Sequence, residues 1–245
     1  MSREHVMPRW MSGLFPDLTE VDYVRAFSTA DGESDEHSRP GRPFDQTVKD
    51  FCRECNNGWM SRLESEAAPI LEPLIRGEQR SLDPVEQHIL ATWAVKTVLT
   101  AGPTNLGGEP FASGEAYRWF GDKKAPLPGA LVWAGRYAGD GQWPISFHLH
   151  GMKFGPADEE GRPTGKMHDG FHAVMAIGHF VLAVFLIERP LPLAEGGSDR
   201  LRTLIWPAND GAVWWPPEET YGTTDDLLEA SRLTPGGPEP PLPTG

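Results

Sequence analysis

Cysteine is nearly missing from this chain of 245 residues: there are two, Cys52 and Cys55, three positions apart. Two cysteines at this spacing make a poor disulfide framework, and the spacing suits half of a zinc site. Long apolar runs are missing too. The longest, from Phe171 to Ile187, includes His172 and His179 and falls short of a membrane span. Basic residues are scarce: 22 Lys and Arg face 35 Asp and Glu, a formal charge of −13. That balance argues against a broadly basic nucleic-acid binder, although one cleft with a metal ion and a few arginines can still hold DNA. The amino end has no charged segment leading into an apolar core, so no signal peptide is expected and a cytoplasmic protein is the default.

What is present fits a folded protein. Hydrophobic residues make up 39% and aromatics 10%, which suits a substantial core in one large or two small domains. The 27 glycines and 24 prolines imply many turns and short elements, and an α+β or β-rich build.

Along the chain, Met7 and the approach to Pro8 read as a strand or strand end. Residues 29–47, rich in Ser, Gly, Pro, Asp and Glu, read as a mobile loop. Residues 48–51 form a short strand into the Cys-x-x-Cys turn. From Trp59 the pattern is helical, with Met60, Leu63, Ala67, Ile70, Leu71, Leu74 and Ile75 on one stripe. Pro69 and Pro73 threaten its second half. The next helix is the clearest: Asp83 as N-cap, Pro84 in the first turn, Glu86 closing a capping box, and Gly102-Pro103 as the stop. Within it Lys96, flanked by Ala94-Val95 and Thr97-Val98, reads as snorkelling to solvent. A short helix near Ser113–Phe120 precedes an antiparallel sheet made of Ala130–Tyr137, Ile145–Phe154, Phe171–Ile177 and Phe180–Ile187, with Gly178-His179 as a hairpin turn. Leu204–Trp206 and Ala212–Trp215 are expected to add an edge. A helix at Thr224–Ser231 and a disordered tail from residue 235 complete the outline.

One pair of segments carries chemistry. Arg3-Glu4-His5-Val6-Met7-Pro8-Arg9-Trp10 and Cys52-Arg53-Glu54-Cys55-Asn56-Asn57-Gly58-Trp59-Met60-Ser61 together make a two-part metal motif. They resemble the HNH endonucleases, in the bacterial variant where Cys-x-x-Cys-Asn-Asn-Gly-Trp-Met-Ser replaces the commoner Cys-x-x-Cys-His ending. The resemblance covers about the first third of the chain. It implies a β-hairpin followed by a helix, with His5 as general base and Glu4 and Asn56 as ligands of a divalent ion, Mg, Mn or Ni. It also implies Cys52 and Cys55 as part of a structural zinc site. Asn57, Arg3 and Arg9 would contact the nucleic acid, most simply DNA. An amide oxygen suits a hard cation, and an imidazole with an ordinary pKa of about 6.5 suits a base.

The chain departs from that family twice. Family members carry another Cys-x-x-Cys upstream of Glu-His, which would close a four-thiolate zinc site. None precedes Glu4 here, so the zinc site is incomplete and a truncated gene start is expected. The asparagine that normally props the base is also absent, since no Asn lies between His5 and Cys52. An Asp, a Thr or a backbone carbonyl must replace it.

Two other readings stand beside the nuclease. His148 and His150 alternate on one strand, with His168, His172 and His179 close in sequence, as in a β-sheet metalloenzyme. Alternatively, an HNH-like domain has lost cleavage and binds nucleic acid or a partner. Trp10 and Trp59 are expected in the core. The sequence as a whole predicts an α+β protein without a membrane segment. Residues 1–80 form an HNH-like ββα-metal unit, 81–234 an α+β domain with an antiparallel sheet, and 235–245 a disordered tail. Its expected function is metal-dependent phosphodiester cleavage.

Overall fold

A computed structural model describes residues 2–28, 34–102, 112–139, 145–154, 158, 162, 164–165, 168–187, 201–208 and 210–232. Helices and antiparallel strands are mixed, and the class is α+β.

The larger sheet has five antiparallel strands in the order β10 (Arg202–Trp206), β6 (Gly129–Arg136), β9 (Phe180–Ile187), β8 (His168–Ile177) and β7 (Ile145–Phe154). The sequence Phe-Val-Leu-Ala-Val-Phe-Leu-Ile has no polar alternation, which demands apolar cover on both faces. β9 is accordingly the central strand, and all eight of its residues are buried. One face lies under α2 (Ser61–Ile75) and α3 (Pro84–Ala101). The other face carries a second cluster with Tyr221, Leu227 and Ala230, the last two on α5 (Thr224–Arg232).

The predicted hairpin turn is present and has a further use. Gly178 has φ +56°, and a Cβ there would sit 2.6 Å from the carbonyl oxygen of Ile75. The neighbouring His179 N–H donates to that carbonyl at 3.0 Å. The β8–β9 turn therefore docks on the last turn of α2, where carbonyls have no helical partner.

α3 is capped as its sequence requires. Asp83 accepts from the backbone of Val85 and Glu86, and Glu86 accepts from Asp83 N–H in return. α2 runs through both prolines, contrary to the expected break. Pro73 cannot donate to the carbonyl of Pro69, and Arg80 Nη1 donates to it instead at 3.4 Å. The helix is held by six buried apolar residues along its length, from Leu63 to Ile75.

Around this core are β1 (Ser2–His5), β2 (Val21–Ser28), β3 (Ser34–Gly41), β4 (Thr47–Phe51), a single turn α1 (Arg53–Cys55) and β5 (Arg80–Leu82). α4 (Gly114–Lys123), capped by Ser113, is the short helix expected there. Three expectations need correction. Much of the loop expected at 29–47 is strand: β3 pairs with β2 residue by residue, from Val21 opposite Gly41 to Ser28 opposite Ser34. The pairing is made by backbone groups, so the polar run Ser-Asp-Glu-His-Ser-Arg offered no apolar alternation to reveal it. The first strand ends at His5, and Arg9–Leu14 is a 3₁₀ turn. Finally, β11 (Val213–Trp215) does not extend the large sheet but pairs with β5 in a ribbon of its own.

The expected boundary after residue 80 falls inside β5. α2 packs on α3 and touches β9, and one apolar cluster contains residues from Met7 to Trp215. The tail from 235 lies outside the described residues.

Candidate functional site

Short strands with a polar sequence need partners from elsewhere in the chain, and β1 finds one in β4. The two are antiparallel, with Glu4 opposite Val48 and His5 opposite Thr47, and Val6 N–H extends the ladder to Gln46. β4 runs directly into the Cys-x-x-Cys turn. Cys52 takes an extended backbone and caps α1, its sulfur accepting from Cys55 N–H at 2.9 Å. A π-helical stretch, Asn56–Met60, follows, with non-helical backbone at Gly58, and then α2 begins.

This path returns Asn56 to β1. Its Nδ2 donates to the carbonyl of Arg3 at 2.7 Å and to Ser2 Oγ at 3.2 Å. The two motifs, separated by half a hundred residues, thus meet in space. Both hydrogen bonds use the nitrogen, which leaves Oδ1 as the acceptor end of the amide.

Glu4 is buried, 5% exposed. Burial raises its pKa above the ordinary carboxylate value, while the adjacent Lys96 opposes that rise. The Lys96 ammonium is fully enclosed and contacts Glu4 Oε1. It also donates to Glu64 Oε1 at 2.7 Å, a carboxylate on α2 that keeps 23% of its side-chain exposure. Lys96 therefore does not snorkel. α3 is buried all round from Leu90 to Ala101, so its side chain has no route to water and must be neutralised internally.

His5 is half-buried. Its pKa is lowered, first by burial and then by the charge of Arg9, with Asp45 and Glu64 pulling weakly the other way. An imidazole held below its usual 6.5 is uncharged at neutral pH and can accept a proton.

The remaining motif residues lie around this centre. Arg3, whose carbonyl Asn56 binds, is exposed, as are Arg9 and Asn57. Trp10 and Trp59 pack against the core, Trp59 edge-on to Phe120 at 5.3 Å. Cys52 and Cys55 are joined to each other in a disulfide. In that form they offer zinc no thiolate pair, because the sulfur valences are spent on one another.

Among the described residues, no three His, Cys, Asp or Glu side chains gather closely enough to hold a metal ion. Of the two expected ligands, Glu4 offers a carboxylate and Asn56 an amide oxygen, donor types that suit a hard cation such as Mg²⁺ or Mn²⁺, which commonly keeps most of its positions for water and phosphate.

The sheet histidines whose side chains are described each have a contact of their own. His148 Nε2 lies 2.6 Å from Ser146 Oγ, His172 is buried edge-on to Phe185, and His179 Nδ1 lies 2.9 Å from the Tyr137 carbonyl. His150 stands opposite His172, and His168 opposite Phe154, in the strand register. The side chains of His150 and His168 lie outside the described residues.

Lys96 and Glu64 were not among the sequence candidates. A signal existed: a charged residue inside an apolar helical stripe needs either solvent or a buried partner. The pattern of α3 alone does not reveal which.

Comparison of the chain with family models, with curated proteins and with solved structures finds no match. No helix among the described residues is long and apolar enough to cross a membrane.

Proposed function

We propose that this protein is a metal-dependent endonuclease that hydrolyses phosphodiester bonds in nucleic acid, with DNA as the substrate and the cytoplasm as its location. The observation that carries the reading is the hydrogen bond from Asn56 to the Arg3 carbonyl, which sets the residue after Cys-x-x-Cys beside the Glu4-His5 strand. The succession of β1, β4 and a helix, with the motifs at their meeting point, supports an HNH-like unit.

In this reading Glu4 and Asn56 hold a divalent cation through oxygen. When bound, such an ion supplies Lewis-acid stabilisation of charge on the phosphate and the departing 3′ oxygen. His5, uncharged at neutral pH, accepts the proton of the attacking water. Arg3 and Arg9, both exposed, would meet the phosphate backbone together with Asn57, the two arginines supplying positive charge on an otherwise acidic protein.

Nicking of supercoiled plasmid by the wild type and by His5→Ala, in Mg²⁺, Mn²⁺ or Ni²⁺, tests the proposal. Cleavage that needs metal and is lost in His5→Ala supports it. Equal inactivity of both proteins in every metal sinks it.

One observation favours a second reading. Glu4, the expected ligand, already has a cationic partner in Lys96. A domain that keeps the arrangement but has given up cleavage would bind nucleic acid or a partner without metal. DNA retention that is indifferent to EDTA, with no nicking, would select it.

A further inference from the structure

We propose that Lys96 and Glu64 are positioning residues of the candidate site, locking the two halves of the motif into one arrangement. The inference rests on the nuclease reading and extends it to residues outside both motifs.

Sealing an ammonium in an apolar interior is unfavourable unless it is fully paired, and apolar replacements of such groups are often neutral or stabilising. Core stability alone therefore does not call for a lysine at position 96. The placement of its partners does. Glu4 lies on β1, next to His5, and Glu64 lies on α2, in the helical segment that starts just after Asn56. One enclosed Nζ thus joins the strand bearing the base and one ligand to the helix that follows the other ligand. Among the described residues, another side-chain tie between these segments is the Asn56 amide, which is only part-buried. Lys96 engages Glu4 through Oε1, and a cation would use the second carboxylate oxygen. Without the ammonium, Glu4 would be left buried and unpaired, and β1 would have reason to swing it toward water.

The test is Mn²⁺ uptake, followed by the paramagnetic resonance signal of the free ion, together with kcat and KM for plasmid nicking. The proteins are the wild type, Lys96→Met, Glu64→Gln and Gln87→Leu. Gln87 is buried nine residues earlier on α3, bonded to the carbonyls of Leu82 and Gly211. Its replacement reports what general loosening of that helix does. Partners that orient a metal ligand typically account for about 10–100-fold in affinity or rate. Lys96→Met should weaken Mn²⁺ by that factor and lower kcat, while KM for DNA stays within roughly threefold. Glu64→Gln, which keeps shape and leaves the lysine an acceptor, should lose affinity in the same direction and by less. Gln87→Leu should melt earlier yet take up Mn²⁺ normally.

If Lys96→Met does not fold, Glu64→Gln decides. Wild-type Mn²⁺ affinity and kcat in Glu64→Gln overturn the proposal, as does an equal loss in Gln87→Leu. A wild type that binds Mn²⁺ and nicks DNA confines that failure to the positioning role. A wild type that does neither removes the nuclease reading and this inference together.

Discussion

The five-stranded sheet and the amino-terminal site are built on opposite principles. The sheet rests on apolar burial, and two of its four pairings join consecutive strands: β8 pairs with β7 and forms a tight hairpin with β9, which is buried along its whole length. The site rests on a few polar contacts between distant segments. Asn56 reaches Ser2 and Arg3, and Lys96 reaches Glu64 and Glu4. Apolar burial is non-directional and scales with area, whereas a polar contact fixes geometry and adds little net stability. The sheet should therefore set how stable the molecule is, and the site should be alterable without unfolding it.

The comparison can be broken most forcefully at the sheet. Phe185→Ala, on the central strand and fully buried, should cost about 3–5 kcal/mol in urea unfolding. A loss below about 1 kcal/mol would mean the sheet is not the dominant core. His5→Ala sharpens the contrast from the other side. Nicking should fall about 10²–10⁴-fold, the usual worth of a general base, with little change in the urea midpoint; a large midpoint shift would make His5 structural. Asn56→Ala should lie between these, costing about 0.5–1.5 kcal/mol for each hydrogen bond lost while impairing nicking far more than stability. If rate and stability fall in proportion, the bond to Arg3 is only a fastener. The smallest effect belongs to Asp83→Ala. Loss of the α3 cap should cost about 1 kcal/mol and leave Mn²⁺ uptake unchanged, and any change in uptake would show that the cap and the site are coupled.

How much of this was legible in the sequence follows the same division. Asp83-Pro84-x-Glu86 names its own helix start, and the run from Phe171 to Ile187 names its own hairpin, because every signal lies within a few residues. β3 was hidden, since Ser34–Gly41 becomes strand only through backbone pairing with β2. The helix through Pro69 and Pro73 was legible in its apolar stripe to Ile75, but not how it tolerates the prolines, because the donor serving the Pro69 carbonyl comes from Arg80, beyond the helix. At the site, the two motifs could be recognised as belonging together. What could not be read was that Lys96, far along the chain on α3, lies against Glu4. Nor could the sequence say whether Cys52 and Cys55 would face a metal or each other.

The central claim is that Glu4-His5 and Asn56 share one divalent cation, and substoichiometric Mn²⁺ added to isotope-labelled protein tests it directly. Paramagnetic broadening falls steeply with distance, so the account requires the His5 ring and the Asn56 side-chain amide to broaden together, ahead of the sheet signals. Broadening of one without the other, or first among the histidines of β7 and β8, would contradict it.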